Sequence, residues 1–167
     1  MKLTFKHAFA AILLVFTLAG PVVAGQYPDT WLAAFDAMKR NDHATALRLF
    51  RSMAEQGFPS AQFQLGFFYS MGWGVPQDYA EALKWFRSAA DQGHISAQSN
   101  LGFMYRDGEG AQQDYVQAHM WFNLAAAGSG APVFLYAAYR DGVAQKMTPA
   151  QIAEAQKRAR EWKPTKQ

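Results

Sequence analysis

The feature that most constrains this chain is that it copies itself. Residues 60–95 (SAQFQLGFFYSMGWGVPQDYAEALKWFRSAADQGHI) and 96–131 (SAQSNLGFMYRDGEGAQQDYVQAHMWFNLAAAGSGA) agree at 17 of 36 positions. The shared residues include Ala61/Ala97, Leu65/Leu101, Gly66/Gly102, Tyr69/Tyr105, Gly72/Gly108, Gly74/Gly110, Asp78/Asp114, Trp85/Trp121, Phe86/Phe122 and Ala90/Ala126. The same offset reaches upstream, where 42–59 matches 78–95 at 10 of 18 positions. Downstream, Tyr139 to Gly142 copies Tyr105 to Gly108 at an offset of 34, which also lays Thr148 on Asp114. A period of this size means that one supersecondary unit is stacked on its own copies, each burying a face that it could not bury alone. Two full repeats are therefore flanked by a partial one at 42–59 and a degenerate capping one at 132–164, with 165–167 beyond. Altered ends are expected because a terminal unit faces water on one side.

Each repeat reads as two helices. The first, helix A, is expected to start at Ser60 or Ser96, where a hydroxyl can accept a hydrogen bond from an unpaired backbone N–H. Small or apolar residues at Ala61, Leu65, Phe68 and Tyr69 follow at helical spacing. Gly72 and Gly74 end it, since glycine takes the positive φ that a tight stop needs. Asp78 and Asp114 are placed to cap the second helix, B, with Glu81 and Gln117 three residues on as capping boxes. Tyr79, Ala82, Leu83, Phe86, Ala89 and Ala90 make its apolar face. Beyond the repeats, Trp31 to Arg40 reads as a first helix with Asn41-Asp42 as its turn. Thr148-Pro149-Ala150-Gln151 opens a last helix, expected to run to about Trp162. Lys163 to Gln167 is expected to fray. The sum is an all-α solenoid of about eight helices.

The first 24 residues have the order of a secretory signal peptide. Lys2 and Lys6 form a basic start, Ala8 to Leu18 is apolar over 11 residues, and Val22-Val23-Ala24 suits cleavage after Ala24. The apolar run is too short to span a bilayer comfortably. A mature chain from Gly25, periplasmic or secreted and not membrane-spanning, is the expectation. The 167 residues contain no cysteine, so no disulfide, thiolate nucleophile or lipid-anchored cysteine is available. The full chain carries 16 Lys and Arg against 13 Asp and Glu, but two of the bases leave with the signal peptide. The mature chain is then near neutral, and nothing in its charge points to nucleic acid.

These residues resemble the Sel-one-like repeat family, relatives of the tetratricopeptide repeat. Ala61, Leu65, Gly66, Tyr69, Gly72, Gly74, Val75, Asp78, Ala82, Trp85, Ala89, Ala90 and Gly93 match its pattern. The second copy departs at Ala111 and Ser129. The ending 147–164 is similar to the C-terminal helix of many small proteobacterial members. The resemblance implies a right-handed α-solenoid serving as a protein-binding scaffold or adaptor, with envelope signalling or assembly as the usual setting. It also implies that A helices line the concave surface. One cysteine-rich branch is described as binding penicillin-like compounds through a disulfide-built fold, and a chain without cysteine does not inherit that activity.

No set of acid, base and nucleophile stands at usable spacing, and no cofactor or metal motif occurs. The reading is of a chain that is not an enzyme, binds no cofactor and works on a protein or peptide partner. The alternatives are a peptidoglycan- or lactam-acting enzyme and a wall-binding structural protein. Asp78 and Asp114 recur as catalytic carboxylates would, but a cap explains both. His43 and His119 align with Tyr79 and Leu83, positions that want bulk for packing, and His94 reads as a solvated turn residue. The candidate partner-binding positions lie on the A helices: Phe63, Gln64 and Phe67 in one repeat, Ser99, Asn100, Phe103 and Arg106 in the next. Phe67 and Phe103 stand one period apart, so they either set an aromatic stripe across the concave face, where aromatics and arginine dominate interface energetics, or pack between A helices. A second candidate is the chain from Gln145 onward, with six basic and two acidic residues, facing an anionic partner or surface; the body from Gly25 to Ala144 has 8 basic and 11 acidic.

Overall fold

The computed structural model describes residues 29–128 and 133–165. The expected signal peptide, 1–24, lies outside them. Eight helices are present among the described residues, with no strand: α1 (Asp29–Lys39), α2 (His43–Glu55), α3 (Pro59–Met71), α4 (Tyr79–Asp91), α5 (Ile95–Asp107), α6 (Tyr115–Ala127), α7 (Val133–Ala144) and α8 (Pro149–Glu161). Helices α3 and α4 form one repeat, α5 and α6 the next. From α1 to α7 each helix packs on the one before it, while α8 packs on α6. That is helix-turn-helix stacking, the solenoid expected from the repeat. No helix among the described residues is long and apolar enough to cross a membrane.

The helix ends follow the sequence with two corrections. Asp42, Asp78 and Asp114 accept the backbone N–H of Thr45, Glu81 and Gln117 at 3.0–3.1 Å, capping α2, α4 and α6. The reciprocal half of the expected capping box is missing at Asp78 and Asp114. Their own N–H groups already donate to Tyr69 O and Tyr105 O of the preceding helix, so Glu81 turns to Lys84 and Gln117 Oε1 is left without a partner. Only where that N–H is free, at Thr148 of α8, does the full box form, with Gln151 accepting at 2.8 Å. Ser60 and Ser96 are likewise not caps. The cap positions of α3 and α5 lie two residues earlier than expected, at Phe58 and His94, and it is His94 whose side chain caps α5. Their C-termini close on Gly72 and Gly108, both left-handed (φ 71° and 74°), as the sequence requires.

Two core clusters divide the molecule. One joins Ala37 of α1, Phe50 and Met53 of α2 and Leu65 and Phe68 of α3. The other runs from Phe63 and Phe67 of α3 through Phe86, Leu101, Trp121 and Phe122 to Val143 of α7 and Ala159 of α8. Helix α3 therefore serves both, and residues 61–68 are buried without interruption. The A and B helices of a repeat approach so closely that a Cβ on Gly66 would stand 2.8 Å from the Phe86 ring, and one on Gly102 2.6 Å from the Phe122 ring. Two glutamine ties recur at the repeat period. Gln62 and Gln98 donate to Ala54 O and Ala90 O of the preceding B helix, and Gln77 and Gln113 donate to Ser70 O and Arg106 O across the A–B loop.

Candidate partner-binding surface

An interior A helix has two packed faces, one toward the B helix before it and one toward the B helix after it. That geometry decides the fate of the residues singled out in the sequence. Phe63, Gln64, Phe67, Ser99, Asn100 and Phe103 are only 2–8% exposed. Phe63 lies 5.7 Å from Phe86 and 4.8 Å from His94 between ring centres. Phe67 meets Trp73 edge-on at 5.1 Å, and Phe103 meets Phe122 and Tyr139 at 5.0 and 4.7 Å. Of the two readings, an open stripe or packing between helices, the structure shows packing: these phenylalanines fill the space between neighbouring helices and the A–B loop. Asn100 Nδ2 bonds back to Ser96 O, while Asn100 Oδ1 and Ser99 Oγ are buried without a hydrogen-bond partner. Arg106 alone of the seven keeps access to solvent. It pairs with Asp107 at 2.6 Å and covers the Phe103 ring from 4.8 Å.

The histidines serve structure, each in its own way. His43 stacks on Trp73 at 5.0 Å, and His119 is buried on α6. Burial lowers the affinity of His119 for a proton, and Arg140 adds to the effect. His94 corrects the expectation of a solvated turn residue. Its Nδ1 accepts the Ala97 N–H at 3.2 Å and its ring stacks on Phe63, so that burial pulls its pKa down to about 4. No signal in the sequence marked it, because the aligned residue of the repeat before is Phe58, which caps nothing. Among the described residues no three His, Asp or Glu side chains gather in a way that could hold a metal ion.

The second candidate, the basic end, is displayed. Helix α8 turns Ala155 and Ala159 inward, with Ile152 and Trp162 half-buried beside them. Lys157, Arg158, Arg160 and Lys163 are exposed. Arg158 is engaged by Glu154 at 2.7 Å, whereas Lys157, Arg160 and Lys163 enter no ion pair with another described residue. Nearby, the exposed Lys146 lies over the Tyr115 ring at 5.5 Å. This charged face can attract an anionic partner over about one Debye length, some 8–10 Å at physiological salt.

Comparison with known proteins places this geometry. The family model described as the Sel1 repeat matches three times, at residues 35–58, 59–94 and 95–129, more than half of the chain. Among solved structures the chain is similar to c5321, "a protective antigen present in uropathogenic Escherichia coli strains displaying an SLR fold", with 31% identity and a TM-score of 0.73 over 80% of this chain. It is also similar to a Sel1 repeat protein from Oxalobacter formigenes, with 27% identity and a TM-score of 0.62 over 83% of this chain. The chain spans 29% of the first protein's length and 56% of the second's. No curated protein matches the sequence significantly. The tandem glycine-closed helix pairs, the aspartate caps and the three family matches agree, and the chain belongs to the Sel1 repeat family.

Proposed function

We propose that this chain is an exported scaffold of the bacterial envelope that binds a protein partner, in signalling or assembly, and that it is not an enzyme. The observation that carries the reading is that the recurring polar residues of its repeats are already occupied in holding helices together. Asp78 and Asp114 cap, Gln62, Gln77, Gln98 and Gln113 tie helices, and His94 caps as well. Sel1 repeats typically mediate protein interaction, which agrees with a surface built for contact rather than chemistry. The n-, h- and c-region order of residues 1–24 supports export. With the inner phenylalanines packed away, we assign the contact to the basic face of α8, led by Lys157 and Arg160.

The test is crosslinking capture from the native envelope fraction with the mature chain and with a triple reversal of Lys157, Arg158 and Arg160 to Glu. The expected result is a discrete protein retained by the mature chain, released by salt and lost by the reversal variant. Intact mass of the fractionated chain checks the export half; a cytoplasmic protein still carrying residues 1–24 would overturn it. Turnover of peptidoglycan or a lactam by the purified chain would overturn the scaffold half.

A further inference from the structure

Past the end of α8 the chain does something the repeat does not require. Trp162 closes the helix with extended backbone (φ −63°, ψ 138°), and the segment that follows crosses to the far end of α4. There the Thr165 N–H donates to Asp91 O at 2.7 Å, and Thr165 Oγ1 donates to the same oxygen at 3.1 Å. That carbonyl is available because the turn after α4 spends its own donors elsewhere. Gln92, Gly93 and His94 N–H go to Ala89 O and Ala90 O, leaving Asp91 O as one of the helix-end acceptors that a helix cannot satisfy itself. On the way, the Trp162 ring meets the Trp121 ring of α6 edge-on at 6.4 Å. Trp121 also carries the Arg87 guanidinium at 4.9 Å, and Arg87 is fixed by both carboxylate oxygens of Asp91.

We propose that this surface of α4 and α6 is a binding site for an extended peptide, held in this structure by the chain's own residues 162–165. The bound segment shows what the site reads: an aromatic side chain, then three positions later a residue offering a backbone N–H and a hydroxyl. Pro164 between them restricts both itself and Lys163 to extended backbone, which suits a strand-like ligand. The self-ligand is an incomplete fit. Trp121 is fully buried, unlike Trp85, its half-buried counterpart one repeat earlier, yet its indole N–H has no acceptor. A peptide from a partner that offers an aromatic side chain and, three positions on, a backbone N–H and a hydroxyl competes with the tail for the same contacts. The site is separate from the basic face of α8 and can stand or fall apart from it.

The experiment uses the mature chain and a fluorescent synthetic peptide of residues 161–167, which leaves the basic helix out. In a Trp162→Ala, Thr165→Pro variant the aromatic, the N–H and the hydroxyl of the tail are all removed. Fluorescence anisotropy is expected to show saturable binding of the peptide to this variant and at least ten-fold weaker binding to the unaltered chain, whose site is filled. A peptide bearing the same two substitutions should bind neither. If the double variant lacks native helicity by circular dichroism, Thr165→Pro alone serves in its place with the same peptides. A folded variant that ignores the peptide, or equal binding to both chains, overturns the proposal. A dimer of the unaltered chain that Thr165→Pro abolishes would make a second copy the occupant and overturn the partner-peptide assignment.

Discussion

His94 shows how one side chain can set the pH range of a junction. Its Nδ1 must be bare to accept the Ala97 N–H, and its ring is half-buried against Phe63, so the folded chain holds it neutral down to about pH 4. The unfolded chain takes the proton near the ordinary value of about 6.5. Between those values the unfolded state binds more protons, so stability is complete above pH 6.5 and declines as pH falls toward 4. The full loss from this residue is about 3 kcal/mol, and the buried His119 acts in the same direction. Urea unfolding of the mature chain at pH 7.5 and pH 5 should show the decline. His94→Asn keeps a capping acceptor without the titration and should flatten it; an unchanged slope would assign the effect to His119 instead. Phe103 is the opposite kind of residue, all packing. Phe103→Ala should cost about 3–5 kcal/mol in denaturant unfolding, as befits a ring between Phe122 and Tyr139. The sequence told these two apart poorly. Helical phase identifies one buried face, and Phe103 fell outside the face counted from Leu65 and Tyr69. An A helix between two B helices has a second buried face that phase counted from a single helix pair does not reveal.

At the scale of the element, glycine inside a helix gives a paired prediction of opposite sign. Alanine is the better helix former by about 1 kcal/mol. At Gly102 a methyl would stand 2.6 Å from the Phe122 ring, which is fully buried and cannot swing away. Overpacking of this kind costs about 1–3 kcal/mol, so the balance is destabilising. At Gly142, in the last turn of α7, a methyl meets nothing within 4 Å, and Gly142→Ala should raise stability by about 0.5–1 kcal/mol. Thermal melts of the two variants decide it; equal signs would mean that the close A–B approach is not what keeps Gly102. The helices themselves were plain in the sequence, because Asp42, Asp78, Asp114 and Thr148 announce starts and Gly72 and Gly108 announce stops. The beginnings of α3 and α5 were harder to read, since two serines at plausible cap positions outweighed Phe58 and His94, neither of which is a usual cap. The glutamine ties could have been found: Gln62/Gln98 and Gln77/Gln113 are identical between copies, and a polar residue kept at the repeat period has a partner at that period.

For the whole molecule, the consequence of α3 serving two clusters is that no single repeat can hold itself together. A fragment of residues 60–95 should be largely unfolded by far-UV circular dichroism, for it keeps Leu65 and Phe68 but loses Phe50 and Met53 of their cluster, and it keeps Phe86 but loses Leu101, Trp121 and Phe122 of the other. A cooperative melt of the fragment would contradict this. Charge is also a property of the whole. The exposed bases of α8 belong to an end that is +4 from Gln145 onward, against −3 for the body from Gly25 to Ala144. The architecture was legible because a period repeated twice is hard to mistake. The binding surface was less so, because where a tail such as 162–165 docks depends on contacts with α4, 74 residues away, that no local pattern records.

The recurrence of the glutamine ties bears on how such a chain can lengthen. Gln62 reaches back to Ala54 O as Gln98 reaches back to Ala90 O, so each repeat carries the hook for the one before it and the eye for the one after. A duplicated 59–94 block, spliced after His94, would bring its own Gln62 to Ala90 O and offer a new carbonyl to Gln98. Growth in whole blocks is then nearly free of geometric penalty, while an insertion of any other length would leave one hook facing the wrong turn of helix. Lengthening along this line moves in whole repeats, 36 residues in the 59–94 block, and the length of the protein becomes a count rather than a continuous quantity.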